Sequence, residues 1–241
     1  MKKDVAPESE KNILTRQYKI FGESLDFGKF ALSRAARLYI QSTRSDNLVT
    51  VEFSEKAKPR EIDKYTADFE QTFANGIYAF GDASLEETAV ETLSAKGKTL
   101  SVAESLTGGL IAAKIVGIAG ASGVLYEGAV TYSNDSKIRR LGVSEDSLRA
   151  HGAVSEEVSR EMCRGLFQSG GCAYALSTTG IAGPGGATLT KPVGLCYISV
   201  GDAENTVTQK FVFGGDRNTV RLTAAETALF MLIKFANRAK N

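Results

Sequence analysis

The chain has 241 residues, 43% hydrophobic and 24% charged, and its 29 lysines and arginines against 28 aspartates and glutamates leave a net charge of +1. This is enough apolar material to bury a core in one or two domains, and the balanced charge excludes a large field for nucleic acid or an anionic membrane. Three cysteines (Cys163, Cys172, Cys196) and one histidine, His151, have neither disulfide-framework nor zinc spacing, so the cysteines read as reduced thiols and no metal site is expected.

Residues 1–15 are polar and read as a tail, with basic residues but no apolar signal core. No stretch approaches the roughly 20 apolar residues of a membrane span, so a soluble, cytoplasmic protein is expected. Residues 16–83 carry a compact α+β pattern. A strand is predicted at Arg16–Phe21. A helix is predicted at Ser24–Tyr39, on the spacing of Leu25, Phe27, Phe30, Ala31 and Leu38. A strand follows at Leu48–Phe53 and a helix at Glu61–Phe73, and the glycine-bearing stretch Asn75–Ala83 closes the unit. Residues 1–85 hold 13 basic and 13 acidic side chains, which argues against a basic binding face.

A second unit opens at Ser84, where serine followed three residues later by Glu87 forms a capping box; the helix it starts runs to about Ala95. The pattern then alternates. A strand at Thr99–Glu104 leads into a helix at Thr107–Val116. A strand at Gly128–Ser133 precedes short helices at Asp135–Leu141 and Glu145–Ala150, and a further helix spans Ser155–Phe167. Strands at Ala173–Thr178, Val193–Val200 and Thr206–Phe213 follow, and a long helix at Asp216–Ala239 ends the chain. The last two strands have no helix between them, so one antiparallel pairing is expected. The predicted fold class is α/β: a three-layer α/β/α sandwich on a mixed sheet, residues 84–241, preceded by a small α+β domain, residues 16–83.

Four segments carry candidate chemistry. Ala103-Glu104-Ser105-Leu106-Thr107-Gly108-Gly109 lies at a strand-to-helix junction, where a hydroxyl sits beside unpaired backbone N–H groups. Ser105 there is either a helix cap or a nucleophile. A cap does not require Gly108 and Gly109, which let another group approach the backbone. The segment Thr131-Tyr132-Ser133-Asn134-Asp135-Ser136-Lys137 ends a strand and starts a helix. Lys137 is either a solvated helix lysine or, if buried, a general base for Ser105. His151, in a loop reading, faces solvent or caps. Thr178-Thr179-Gly180-Ile181-Ala182-Gly183-Pro184-Gly185-Gly186, running into Lys191-Pro192-Val193-Gly194, is either a mobile loop or a backbone cradle for an anion. It matches neither the Walker nor the dinucleotide fingerprint. Gly214-Gly215-Asp216-Arg217 opens the last helix; Asp216 suits an N-cap, and Arg217 is a surface arginine or a phosphate or carboxylate partner.

These segments, in this order, resemble the C-terminal domain of CinA proteins, the nicotinamide mononucleotide (NMN) deamidase family also called PncC. The family pattern is Ala-Glu-Ser-Cys-Thr-Gly-Gly, Thr-Tyr-Ser-Asn-x-x-Lys, His-Gly-Ala-Val-Ser, Gly-Ile-Ala-Gly-Pro-x-Gly with Lys-Pro-Val-Gly, and Gly-Asp-Arg. Residues 84–241 carry all of them, with Ser105 and Lys137 separated by 32 positions. One position departs: the family's usual cysteine is Leu106, so no mechanism can rest on a thiol there. Residues 16–83 resemble, more weakly, the KH-like domain that precedes this module in longer CinA proteins. They lack the Gly-x-x-Gly loop that clamps nucleic-acid backbone, which points to packing or dimerisation. The nucleotide pyrophosphatase activity associated with the large N-terminal CinA domain is not expected of this chain.

The resemblance implies hydrolysis of the NMN carboxamide to nicotinic acid mononucleotide and ammonia, without metal or cofactor. The implied catalytic set is Ser105 as nucleophile, Lys137 as base, Tyr132 orienting Lys137 or stacking on the pyridine, and Thr107 with the following backbone as oxyanion support. The implied substrate-binding set is Glu104, Gly108, Gly109, Asn134, Thr179, Gly180, Gly183, Gly185 and Arg217. The implied partners are the small-molecule substrate and further copies of the chain, in a homodimer or a higher homo-oligomer, with no nucleic acid and no membrane. The alternative is a non-catalytic nucleotide-binding or scaffold module of a competence/damage-inducible protein.

Overall fold

A computed structural model describes residues 13–22 and 24–238, and they form two compact units that divide between Ala83 and Ser84. Most of the expected N-terminal tail, and Ala239 at the end of the expected final helix, lie outside the described residues.

The first unit is a four-stranded antiparallel sheet in the order β2-β3-β1-β4. Its strands are β1 (Thr15–Phe21), β2 (Ala36–Thr43), β3 (Asp46–Phe53) and β4 (Ile77–Phe80), and its helices are α1 (Gly28–Ala31) and α2 (Pro59–Phe73). Strand β3 alternates buried and half-buried residues, the period-two signature of a sheet with one face on a core. That core gathers Tyr18, Ile20, Val49, Val51, Phe53, Phe30, Tyr65, Phe69 and Phe73. Helix α2 starts at Pro59, and the Glu61 carboxylate accepts the Lys58 N–H at 2.8 Å.

One expectation fails in this unit, and one strand was not assigned. The helix expected at Ser24–Tyr39 is a single turn, and β2 takes over from Ala36 onward. Leu38, Tyr39 and Ile40 favour a pleated strand, and β2 pairs in full with β3 from Ala36↔Phe53 to Thr43↔Asp46. Cross-strand hydrogen bonding overrides a helical spacing that only Phe30 honours with burial. The glycine-bearing stretch that closes the unit contains a strand the sequence did not assign, β4, which pairs with β1 at the sheet edge.

The second unit is a five-stranded mixed sheet in the order β6-β5-β7-β8-β9. The strands are β5 (Leu100–Glu104), β6 (Leu125–Val130), β7 (Tyr174–Gly180), β8 (Leu195–Gly201) and β9 (Thr206–Val212). Strands β6, β5 and β7 are parallel; β7–β8 and β8–β9 are both antiparallel, one more such pairing than expected. Helices α3 (Leu85–Ala95), α4 (Leu110–Val116) and α8 (Arg217–Ala236) form one outer layer. Helices α5 (Asn134–Leu141), α6 (Glu145–His151) and α7 (Glu156–Gly165) form the other. The predicted three-layer α/β/α sandwich is therefore what forms.

Residue alternation along the strands separates the two faces. Ala103 and Ala175 pack with Val158, Met162 and Cys163 of α7, whereas Cys196 packs with Val220 and Ala224 of α8. On the α7 face a line of hydroxyls satisfies itself: Ser177 Oγ donates to the Ser159 carbonyl at 2.7 Å, and Ser159 and Ser199 share a 2.7 Å bond. The predicted capping box at Ser84 and Glu87 is present. Strand β6 starts three residues before its predicted position, and Gly128 lies inside it. A Cβ at Gly128 would come 3.1 Å from the Ala112 Cβ, so glycine there lets α4 sit close on the sheet. The register leaves Thr131–Ser133 as a link that turns the chain from β6 into α5.

Candidate active site

The site lies at the carboxyl ends of β5 and β7, the usual end for ligands in an open α/β sheet. A cavity of about 270 Å³ is lined there by Ser105, Leu106, Tyr132, Lys137, Ala153, Val154, Arg217 and the Thr179–Gly186 segment.

Ser105 is the first residue after β5. Its N–H donates to the Thr178 carbonyl at 3.0 Å, extending the β5–β7 ladder by one bond, so the hydroxyl stands on a fixed backbone. Lys137 comes from the first turn of α5, whose N-cap Ser133 accepts the Ser136 N–H at 3.1 Å. Lys137 is 1% exposed, and its Nζ has three oxygen neighbours: Ser105 Oγ at 3.1 Å, the Thr131 carbonyl at 2.8 Å and the Tyr132 carbonyl at 3.2 Å. No carboxylate is among them, and burial lowers its pKa from 10.5 to about 8.

This set of neighbours has a chemical consequence. The two carbonyls can only accept. A neutral amine has two N–H bonds and one lone pair. With both N–H bonds held by carbonyls, the lone pair faces the hydroxyl, as proton transfer from Ser105 requires.

The opposite wall is the glycine-rich segment. Thr179, Gly180, Gly183 and Gly185 all line the cavity, and Thr179 Oγ1 donates to the Ala153 carbonyl at 2.7 Å. A Cβ at Gly180 would lie 2.6 Å from the Leu195 carbonyl oxygen, so the close approach of β7 to β8 excludes any side chain there. Arg217, in the first turn of α8 behind its N-cap Asp216, donates Nη1 to the Gly183 carbonyl at 2.7 Å and Nη2 to the Tyr132 hydroxyl at 3.1 Å. It ties the glycine-rich wall to the rim.

Several expected site residues stand elsewhere. Glu104 is 1% exposed and does not line the cavity; its carboxylate accepts the N–H groups of Gly109 (2.9 Å), Ile111 (3.1 Å) and Ala112 (2.9 Å). It caps the start of α4 from inside the protein. The helix end that looked ready for a substrate anion already holds an internal one. Gly108 and Gly109 accordingly lie outside the cavity lining. The Thr107 side chain is fully buried and bonds Thr178 Oγ1 at 2.8 Å instead of facing the cavity. Asn134 is exposed on α5, away from the lining. Tyr132 orients Lys137 through its backbone carbonyl, while its ring is 60% exposed at the rim. His151 is the last residue of α6, half exposed, with Nδ1 3.8 Å from Glu157 Oε1.

Leu106 points into the apolar cluster of Ala182, Cys196, Val220 and Ala224. Burial pushes the Cys196 thiol up to about 12, so it is no nucleophile. Two further residues hold the walls: Lys191, which the sequence placed only in the Lys-Pro-Val-Gly motif, and Arg221, which the sequence did not single out. Lys191 Nζ donates to the carbonyls of His151 and Val154, the latter at 2.6 Å, and pins the Ala153–Val154 wall. Arg221 donates Nε to the Leu106 carbonyl at 3.1 Å and Nη2 to the Thr107 carbonyl at 3.0 Å. The only signal for Arg221 was its spacing of four from Arg217, which puts both on one face of α8.

Fold and site define an α/β sandwich with a buried lysine against a serine at the carboxyl end of its central strands. The chain belongs to the CinA family: the family model described as "CinA C-terminal domain" matches residues 82–236. A relative from Caldicellulosiruptor saccharolyticus, whose name describes a competence-damage inducible protein, is 42% identical over 198 residues, covering 82% of this chain and 48% of its own length. A "CinA-like protein" from Kosmotoga olearia is 50% identical over 153 residues, covering 64% of this chain and 37% of its own. The chain spans about half the length, or less, of these relatives. The crystal structure of the competence/damage inducible protein from Agrobacterium tumefaciens superposes with a TM-score of 0.61 at 38% identity, covering 66% of this chain and 99% of that one. A CinA superfamily protein from Escherichia coli superposes with a TM-score of 0.60 at 30% identity, covering 62% and 88%.

Among the described residues no helix is long and apolar enough to cross a membrane.

Proposed function

We propose that the second unit is an amidohydrolase that converts nicotinamide mononucleotide to nicotinic acid mononucleotide and ammonia by serine–lysine catalysis. One observation carries the reading: the Lys137 amine, held by two carbonyls, has Ser105 Oγ as its third neighbour at 3.1 Å.

The sequence of steps follows from that geometry. Ser105 Oγ attacks the carboxamide carbon, and its proton passes to Lys137 Nζ. The tetrahedral oxyanion collapses, the C–N bond breaks, and Lys137 returns the proton to the leaving nitrogen, which departs as ammonia. Water then attacks the acyl-enzyme ester, giving its proton to Lys137. Ser105 leaves as the alcohol and the product is the carboxylic acid. A base with a pKa of about 8 is nearly matched to neutral pH, where general-base catalysis is most effective.

The other end of the cavity suits the nucleotide. Arg217 has five N–H donors and uses two in the bonds to Gly183 and Tyr132, leaving capacity for a phosphate beside the Gly183–Gly186 backbone. Tyr132 at the rim offers a face for a pyridine or a ribose.

The test is release of ammonia from NMN in metal-free buffer, with Ser105→Ala and Lys137→Ala as controls. Turnover by the wild type and its loss in both variants supports the reading. Full turnover by Ser105→Ala, or none by folded wild type, overturns it.

A further inference from the structure

Strand β7 outruns its neighbour β5, and the overhang carries a backbone donor past the end of β5. Glu104↔Thr178 is the last pair between the two strands, and β7 continues through Thr179 to Gly180. Along a strand, successive residues turn their N–H and C=O groups to opposite edges. The Thr178 carbonyl faces β5, since it accepts the Ser105 N–H at 3.0 Å. The Ile181 N–H faces β8, since it donates to the Leu195 carbonyl at 2.8 Å. Both bonds fix the same phase: Thr179 faces β8 and Gly180 faces the β5 side. The next bond of the parallel ladder would join the Gly180 N–H to the Ser105 carbonyl, and it is not made. The Gly180 N–H therefore points past the end of β5, where Ser105 stands.

This donor is reachable from the cavity and held in place. Thr178 and Thr179 are buried, whereas Gly180 is partly exposed and lines the cavity together with Ser105 and Lys137. Thr107, Gly108 and Gly109, the expected oxyanion support, lie outside that lining. The backbone on either side of Gly180 is fixed by the bond from Ser105 to Thr178 and by the Ile181 carbonyl, which accepts the Gly194 N–H at 2.8 Å. A Cβ at Gly180 would lie 2.6 Å from the Leu195 carbonyl oxygen, 2.7 Å from Cys196 Sγ and 3.0 Å from Leu106 Cδ1. Strand β8 and Leu106 thus wall the residue on the side away from the cavity, and the peptide has no room to turn.

We infer that the Gly180 N–H is the oxyanion donor: it donates to the substrate's carboxamide oxygen as that oxygen takes the negative charge of the Ser105 adduct. This rests on the serine–lysine reading above. Neighbouring strands lie about 4.8 Å apart, so a carbonyl group seated at Ser105 brings its oxygen within one hydrogen bond of the β7 edge. The two helpers then flank the nucleophile. Lys137 Nζ is anchored on the Thr131 carbonyl, one residue beyond β6, Gly180 ends β7, and β5 with Ser105 at its end lies between those strands. As Ser105 Oγ attacks, its proton leaves toward the β6 side, and the carbonyl electron pair moves onto the oxygen on the β7 side. A donor fixed beforehand by the sheet stabilises that charge without reorganising.

The experiment uses the full chain with glycolic acid in place of glycine at position 180, introduced by in vitro translation. The ester oxygen removes this one N–H and leaves every side chain unchanged. The same replacement at Gly120, an exposed residue, is the control. Each protein is treated with a fluorophosphonate probe and followed by intact-mass spectrometry. Ser105 Oγ forms the bond to phosphorus, the P–F bond breaks, fluoride leaves, and the serine proton passes to Lys137. Negative charge builds on the phosphoryl oxygen, so labelling reports on the donor without needing NMN turnover. The ester at 180 is expected to label about 100-fold more slowly than wild type and to lower kcat for NMN with KM little changed, while the ester at 120 matches wild type. In unsubstituted protein carrying ¹⁵N-glycine, the Gly180 amide proton is expected to move downfield when Ser105 is phosphonylated, a readout independent of how the ester variant folds. Wild-type labelling by the ester at 180, or an unmoved Gly180 amide proton in the labelled protein, overturns the inference and leaves the Ser105 assignment intact. A folded wild type that does not label at Ser105 overturns that assignment, and the role of Gly180 with it.

Discussion

Lys137 Nζ lies 3.1 Å from Ser105 Oγ although 32 residues separate them, and the remaining neighbours of that nitrogen are carbonyls rather than carboxylates. An anionic partner would hold the lysine charged. Carbonyls solvate the amine in either protonation state, so burial sets its pKa.

The pH dependence of activity follows. The base form of Lys137 is the neutral one, so kcat/KM for NMN is expected to rise with pH and level off above about 8. Lys137→Ala is expected to lose about 100- to 10,000-fold in rate. A rate profile that is flat between pH 6 and 9 contradicts the assignment.

Stability carries the same group with its own sign. The folded pKa is lowered below the unfolded value, so between about 8 and 10.5 the unfolded chain binds more protons and stability rises with pH. The cost of the buried charge, about 3 kcal/mol, is fully present below pH 8 and is relieved by pH 10.5. Relative to Lys137→Met, the wild type is expected to gain stability from pH 7 to pH 10. Denaturant titrations at the two pH values measure this difference, and a constant gap speaks against the lowered pKa.

Glu104→Ala removes the acceptor for three N–H groups at a position only 1% exposed. Unsatisfied buried donors cost about 1–3 kcal/mol each. A loss of about 3 kcal/mol or more in chemical denaturation is expected. A loss below about 1 kcal/mol excludes the capping role.

Leu106→Cys restores the residue usual in the family pattern. Leu106 is 4% exposed and packs with Ala182, Cys196, Val220 and Ala224. The smaller side chain is expected to cost about 1–3 kcal/mol of stability through the volume lost. Turnover is expected to stay within a few-fold of wild type, since Ser105 and Lys137 are untouched. A gain of a hundredfold or more in NMN hydrolysis would assign chemistry to the thiol.

Arg217→Ala removes the donors to Gly183 and Tyr132 at the end of the cavity proposed for the nucleotide. KM for NMN is expected to rise about 10-fold or more, with a smaller change in kcat, because charge-assisted bonds of this kind contribute about 1.5–3 kcal/mol. Steady-state kinetics against NMN and its unphosphorylated riboside separate the phosphate contribution, which only NMN can lose.

The order of strands and helices in the second unit was legible along the chain because each element carries its own local signal. Ser84 and Glu87, Ser133, Ser155 and Asp216 all stand where helices begin. The first unit was less legible. Phe27, Phe30 and Leu38 have helical spacing, but β2 gains more from pairing with β3 than the chain gains by continuing the helix, and pairing partners are invisible locally. Within the site, Ser105, Lys137, Thr179, Gly180, Gly183, Gly185 and Arg217 were identified by type and spacing, and all line one cavity.

Residue chemistry and order along the chain therefore determined the fold class and singled out Ser105 and Lys137 as the candidate pair. Only the tertiary structure decided what surrounds each group. Glu104, Thr107, Gly108, Gly109 and Asn134 fall outside the cavity lining because burial, capping and side-chain direction depend on neighbours distant in sequence. Arg221 emerged for the same reason, since its partners, the Leu106 and Thr107 carbonyls, are more than a hundred residues away along the chain. A hydrogen bond is a relation in space, and which donor reaches which acceptor is settled only when the sheet brings the ends of β5 and β7 against α8.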